Sequence, residues 1–206
     1  MKPNIKFIPF VEKDIETQKL VIEKLKKEPF ETTTYQLFGK IVKSPRKMAW
    51  YTSEEDKKKE WVYVFSKNHI NGLKPKPFTM VLNCFANYLY SLTGVKYNAV
   101  LINYYKNGMD KISPHSDDDP WLGEKFEVPS FSFGSERTII FKDKKTSKTF
   151  SYKMPSGSLL IMGKGVQKLF THEIKPEKGK GERFNLTFRK IIPSLVTKMP
   201  KGIKKR

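Results

Sequence analysis

The chain has 206 residues, but only one cysteine, Cys84, and only three histidines, His69, His115 and His172. A single cysteine excludes an intrachain disulfide framework and any cysteine-rich zinc centre, and Cys84 is expected to be a buried small hydrophobe. Apolar runs of about 18 residues are absent, and the first residues, MKPNIKFIPF, lack the continuous apolar stretch of a signal peptide. An intracellular protein without membrane association is therefore expected. Acidic residues are also scarce, with 21 Asp and Glu against 40 Lys and Arg and a formal net charge of +19. Such a surplus concentrates polyanions around the surface and makes nucleic acid the first partner to consider. A solvated basic surface fits the same number, and the charge says nothing about chemistry.

What is present can fill a core: 38% of residues are hydrophobic and 13% aromatic. The apolar spacing of VEKDIETQKLVIEKLKKEPF predicts an amphipathic helix that stops near Pro29. The stretch TTTYQLFGKIVKSPRKMAWYTSEEDKKKEWVYVFS reads as strands interrupted by a hairpin at Gly39 and a charged loop. FTMVLNCFANYLYSLTG is a second helix, ended by Gly94. From Tyr97 onward, YNAVLINYY, SFSFG, RTIIFKD, KTFSYKM, GSLLIM and RFNLTFRKI are short strands separated by Gly, Pro, Lys and Asp clusters. This pattern predicts a mostly β, α+β chain in the form of a jelly roll, with the two helices bracing one face. The end, KMPKGIKKR, is basic with little to pack, a solvated terminus, a localisation signal or a phosphate-binding arm.

One feature runs against the positive charge. SPHSDDDPW sets three consecutive aspartates, Asp117, Asp118 and Asp119, behind His115. In extended chain, residues two apart point to one side, so His115 and Asp117 can present an imidazole and a carboxylate to one point. His172 follows the strand GSLLIM and a glycine-containing connection, from which the fold could return it to the first pair. Two histidines and one carboxylate on one face of a metal form the facial triad of non-haem Fe(II) oxygenases, which leaves positions open for co-substrate and O2.

Groups for a co-substrate occur in ERFNLTFRK. Alternation puts Arg183, Asn185, Thr187 and Arg189 on one face and Phe184, Leu186 and Phe188 on the other. Guanidinium groups facing inward from a buried strand are costly unless paired with anions, and a small dicarboxylate answers that cost through two parallel hydrogen bonds to each. LINYY repeats the logic with Asn103 and Tyr105.

Taken together, NYYKNGMDKISPHSDDD from Asn103 to Asp119, then His172, then RFNLTFR from Arg183 to Arg189, resemble the AlkB family of Fe(II)- and 2-oxoglutarate-dependent dioxygenases, nearest to its eukaryotic nucleic-acid dealkylases. The resemblance extends from about Tyr35 to Ile191. It implies a double-stranded β-helix in one domain over 1–206. Residues up to about 94 would form an N-terminal extension with a nucleotide-recognition lid, about 97–192 the catalytic core, and 193–206 a basic tail. It implies that His115, Asp117 and His172 hold iron. Arg189 would meet the C1 carboxylate and Arg183 the C5 carboxylate of 2-oxoglutarate, with Asn103, Tyr105 and Asn185 assisting. Asp118 would pair with a basic residue such as Arg183. Asp119 would approach the damaged base, although relatives more often carry Glu there.

Upstream, YQLFGKIVKSPRKMAWY resembles the lid of the duplex-repair branch, with Phe38 at the hairpin tip as the aromatic that fills the gap left by a flipped base. From the residues alone, a Phe38 folded back onto the core stays open as the lesser alternative. Arg46 would touch phosphate or the lid. Tyr63 and Phe65, on one face of WVYVFS, fit core positions by their spacing and base-pocket positions by the resemblance.

The implied function is oxidative demethylation of N-alkylated DNA bases such as 1-methyladenine and 3-methylcytosine by a monomer using Fe(II), 2-oxoglutarate and O2. Duplex DNA would be favoured, with single strands and RNA as further substrates. The compartment would be the nucleus in a nucleated cell and the cytoplasm otherwise. Two other classes stay open: the same chemistry on RNA or protein, and a basic nucleic-acid-binding module with a vestigial iron site.

Overall fold

The computed structural model describes residues 2–57, 61–64, 69–70, 72–119, 121 and 127–198. Its first part runs β1 (Ile5–Ile8), α1 (Ile15–Lys26), β2 (Glu31–Leu37), β3 (Lys40–Thr52), α2 (Glu54–Lys57), the short strands β4 (His69–Ile70) and β5 (Lys76–Pro77), and α3 (Met80–Thr93). There follow β6 (Ala99–Tyr105), β7 (Ile112–His115), β8 (Val128–Gly134), β9 (Arg137–Asp143), β10 (Thr149–Met154), β11 (Ser158–Met162), α4 (Val166–Leu169), β12 (Phe170–Ile174), β13 (Arg183–Arg189) and a 3-10 turn over Pro193–Lys198.

Both long helices start and stop on side-chain chemistry. Asp14 caps α1 by accepting from the Thr17 amide at 2.8 Å, and Thr79 caps α3. Gly94, at φ +70°, closes α3 by donating its N–H to the Tyr90 carbonyl, a backbone conformation that a side chain disfavours.

The strands form two sheets. The larger has nine, in the order β1-β11-β8-β13-β6-β3-β2-β4 with β5 on β3, and the smaller is β10-β9-β12-β7. Strands β13, β6 and β8 pair antiparallel at its centre, and β12 lies between β9 and β7 in the small sheet. This is the jelly roll that the strand pattern predicts. The N-terminal strands are hydrogen-bonded into it, β1 to β11 and β3 to β6. Strands β7 and β12 escape the sequence reading, being short and interrupted by polar residues.

All seven residues of β13 are buried, and alternation divides them between two environments. Phe184, Leu186 and Phe188 join Leu25 of α1, Leu82 and Leu89 of α3, and Phe131 and Phe133 of β8 in the main core. Arg183, Asn185, Thr187 and Arg189 face the gap between the sheets. The helices therefore seal one side of the large sheet and leave the other for the site.

Two expectations need correction. Cys84 is exposed, because the buried stripe of α3 is Leu82, Phe85, Ala86 and Leu89, and Cys84 lies off that face. The tail does not begin at Pro193: Leu195 and Val196 pack against the cluster around Trp50, Trp61 and Trp121. Residues 199–206, the rest of the basic end, lie outside the described residues, among which no helix is long and apolar enough to cross a membrane.

Phe131 is fully buried and packs against Phe85, Tyr88 and Phe188. Phe131→Ala is expected to lower unfolding free energy by about 3–5 kcal/mol in urea titration, and Cys84→Ser to change it by no more than about 0.5 kcal/mol.

Candidate active site

Strand pairing brings the two distant histidines together. His172 of β12 stands directly opposite His115 of β7, with ring centroids 4.2 Å apart. Asp117, two residues beyond the end of β7, turns back into the same gap, its Oδ1 3.9 Å from His115 Nε2. One ligand atom from each of His115, Asp117 and His172 lies within 4.8 Å of the others. His115 Nδ1 lies 2.9 Å from the Ser113 carbonyl, which can only accept, so Nδ1 carries the proton and Nε2 keeps its lone pair for the site.

The protonation states suit a cation. Burial, aided by the neighbouring His172 and Arg46, depresses the His115 pKa to about 3, and burial with Arg189 nearby also depresses that of His172. Burial pushes the Asp117 carboxyl up, but Arg189, at 2.8 Å, and the two imidazoles pull it below the ordinary carboxylate range. At neutral pH the three groups are two neutral imidazoles and one carboxylate, the state that metal ligation requires.

The opposite wall is cationic. Arg183 is 2% exposed and donates from Nη2 to Ser132 Oγ at 2.8 Å, with Tyr105 5.2 Å from its guanidinium carbon to the ring centroid. Asn185 donates to Ser130 Oγ (2.6 Å) and the Phe131 carbonyl (2.9 Å). Arg46 reaches in from β3 and donates through Nε to Asn103 Oδ1 at 2.7 Å.

The sequence model of the 2OG-Fe(II) oxygenase superfamily matches residues 6–189. The chain is 34% identical over 168 residues to the DNA oxidative demethylase ALKBH2 of Mus musculus, covering 77% of this chain and 67% of that one. It is 33% identical over 174 residues to the alpha-ketoglutarate-dependent dioxygenase alkB homolog 3 of Homo sapiens, covering 79% and 55%. The chain belongs to the 2OG-Fe(II) oxygenase superfamily and, within it, to the AlkB family. The solved structure of OsALKBH1 has the same fold, with a TM-score of 0.66 at 18% identity over 92% of this chain and 99% of that one. The chain spans 67%, 58% and 60% of the lengths of the mouse, bovine and human ALKBH2 proteins.

The protein is accordingly an Fe(II)- and 2-oxoglutarate-dependent dioxygenase. Its residues fit both groups. The triad supplies nitrogen and oxygen donors in the required charge state. Arg183 Nε and Nη1 and Arg189 Nε are buried with no hydrogen-bond partner among the described residues, and such N–H groups are costly to bury unless an anion meets them.

The remaining candidates are placed unevenly. Arg46 is 6% exposed and lines the cavity, where phosphate or lid contact was expected, because alternation along β3 turns Ser44, Arg46 and Met48 inward. Asp118 faces solvent with its carboxylate 3.9 Å from Lys144, so it does not pair with the buried Arg183. Asp119 lies 3.9 Å from Arg189, and burial, with Asp117 and Asp118 close by, raises its pKa to about 7 against the pull of that guanidinium. Residues 61–64 of WVYVFS form no continuous strand. Tyr63 forms only a bridge with Leu73, is fully buried against Trp50 at 4.8 Å, and stacks on the Arg189 guanidinium at 5.3 Å, so it supports the wall from behind and is not part of the cavity lining. Phe65 lies outside the described residues.

Three supporting residues escape the sequence reading. Ser130 and Ser132 alternate with Phe131 and Phe133 in VPSFSFG, the same polar–apolar rhythm as RFNLTFR, and that rhythm was the available signal. Gln167 accepts from the Asp117 amide at 2.9 Å and donates to Met162 Sδ at 3.1 Å, with nothing local to mark it.

His115→Ala, Asp117→Ala and His172→Ala are each expected to abolish Mn(II) binding measured by calorimetry, whereas His69→Ala leaves it unchanged; an equal loss from His69→Ala would displace the triad. Arg183→Ala is expected to weaken 2-oxoglutarate by about 2–5 kcal/mol with a much smaller effect on the metal, because a buried carboxylate loses its charge-assisted partner.

Proposed function

We propose that this dioxygenase repairs DNA by removing N-alkyl groups from bases such as 1-methyladenine and 3-methylcytosine. It would act as an intracellular monomer that favours duplex over single-stranded DNA and also accepts RNA, in the nucleus of a nucleated cell or otherwise in the cytoplasm. The observation that carries the duplex preference is Phe38. It forms, with Gly39, the two-residue connection between Leu37 of β2 and Lys40 of β3, and both have positive φ, +48° and +75°. A left-handed backbone costs a non-glycine residue roughly 1–2 kcal/mol. The ring is also fully exposed, at 104% of its reference area. Neither backbone preference nor burial favours phenylalanine at this tip, and a stack of bases is a partner that does. The net charge of +19 and the relatives named as DNA oxidative demethylases support the same reading.

In this mechanism His115, Asp117 and His172 would hold Fe(II), which with 2-oxoglutarate and O2 supplies the oxidant for hydroxylating the N-methyl carbon; the product then releases formaldehyde. Arg183, with Tyr105 beside it, would take the distal carboxylate of 2-oxoglutarate, and Arg189 the proximal one. Asn103 and Asn185 hold the neighbouring side chains in place through Arg46 and Ser130. Asp119 stands at the rim of the triad, where it would address the base. The apolar lining from Leu101, Ile139, Leu160 and Ile174 excludes water from the centre.

The test is formaldehyde release from methylated duplex and single-stranded DNA, with and without 2-oxoglutarate, beside methylated RNA and peptide. DNA turnover that requires 2-oxoglutarate is expected, and turnover on peptide alone would overturn the substrate class. Phe38→Ala is expected to cost roughly 1–3 kcal/mol, about 5- to 150-fold, on duplex substrate and little on single strands at fixed salt. An equal loss on both would remove the intercalating role.

A further inference from the structure

One large buried cation has no part in the mechanism above. Arg137, the first residue of β9, is 0% exposed and does not line the cavity. Its guanidinium is enclosed by main chain. Nη1 donates to the Asn107 carbonyl at 3.4 Å, Nη2 donates to the carbonyls of Asp110 (3.0 Å) and Lys175 (2.5 Å), and Nε lies 3.5 Å from Glu177 Oε1. Asn107 and Asp110 belong to the turn that delivers β7 and His115, while Lys175 directly follows β12, which carries His172. One side chain thus ties together the chain segments behind both imidazoles.

These segments interlock independently of Arg137. Gly108 donates to the Lys180 carbonyl and accepts from the Glu177 amide, both at 2.7 Å, and a Cβ on Gly108 would sit 1.9 Å from the Glu177 carbonyl oxygen. Ladder pairing of β7 with β12 is confined to His172↔His115 and Ile174↔Ile112, with a register shift between them. A ladder that short does little to set the spacing of the segments, and the planar fork of Arg137 spans the gap. The same guanidinium stands 5.8 Å from the Tyr105 ring centroid, and that ring also carries Arg183 at 5.2 Å. Asn107, two residues after Tyr105, is one of its acceptors.

We propose that Arg137 is a positioning residue for 2-oxoglutarate: by clamping the segments behind His115 and His172 beneath Tyr105, it sets the separation between the metal ligands and the Tyr105–Arg183 wall. The proposal rests on the reading that Tyr105 and Arg183 receive the distal carboxylate. Lysine keeps the charge but loses the fork, since an ammonium cannot reach the acceptors on both segments in one plane.

The experiment compares wild type, Arg137→Lys, Glu177→Gln, Tyr105→Phe and Arg183→Ala. It measures the thermal midpoint, Mn(II) affinity of the protein alone, 2-oxoglutarate affinity of the Mn(II)-loaded protein by calorimetry, and the KM and kcat for 2-oxoglutarate with iron. Arg137→Lys is expected to melt cooperatively and bind Mn(II) nearly as wild type, while its 2-oxoglutarate affinity falls about 10- to 100-fold and KM rises more than kcat falls. Glu177→Gln, at a partly exposed partner, should show the same split in smaller measure, and it carries the test should Arg137→Lys not fold. Unchanged 2-oxoglutarate affinity in the folded Arg137 and Glu177 variants, with Arg183→Ala weakened, would overturn the proposal alone. Unchanged affinity in Arg183→Ala and Tyr105→Phe would instead remove the reading on which it rests.

Discussion

Charge placed in a gap of low dielectric is the constraint around which this molecule is arranged. Arg183, Arg189 and Arg46 enter the space between two sheets, where, among the described residues, Asp117 is the one buried carboxylate in the lining. A guanidinium there is tolerated only against anions or well-placed acceptors. Arg189 finds Asp117, Arg46 finds Asn103, and Arg183 donates to a serine hydroxyl and lies against the Tyr105 ring, with its Nε and Nη1 unmet among the described residues. The unmet hydrogen-bonding capacity of Arg183 suits an anion, and a dicarboxylate of the size of 2-oxoglutarate fits the chemistry.

The same electrostatics prepare the metal side. Desolvation keeps both imidazoles neutral and the nearby guanidinium keeps Asp117 ionised, so no proton must be displaced before a cation is bound. Side chains add to the strand pairing: His115 and His172 are opposed across a short ladder, Asp117 is tethered through its amide to Gln167, and the Tyr63 ring lies 5.3 Å from the Arg189 guanidinium carbon. Aromatic packing on the far side of β13, against α1 and α3, anchors the strand that carries the arginines.

The surface contrasts with this interior. Phe38 stands on a strained turn in full solvent, and Lys and Arg outnumber acidic residues nearly two to one. A basic exterior with a protruding aromatic suits the gathering of a polyanion, and a buried, cation-rich pocket suits a small dianion.

Alternation of side chains made much of this legible in one dimension. RFNLTFR separates its polar and aromatic faces whatever surrounds it, HSD presents two ligands from extended chain, and Phe-Gly between strands marks a two-residue hairpin. Local signals also placed α3 between Phe78 and Gly94. They failed where a long-range partner decides. Cys84 is exposed because of the face that α3 turns to β8, Tyr63 is buried because Trp50 and Trp121 close over it, and Arg46 points inward because β3 is hydrogen-bonded to β6. The opposition of His172 to His115, the clasp of Gln167 on Asp117 and the fork of Arg137 join residues far apart in the chain. Residue types and periodicity determined which chemistry was available; only strand pairing, which is set by burial summed over both sheets, decided where it converges.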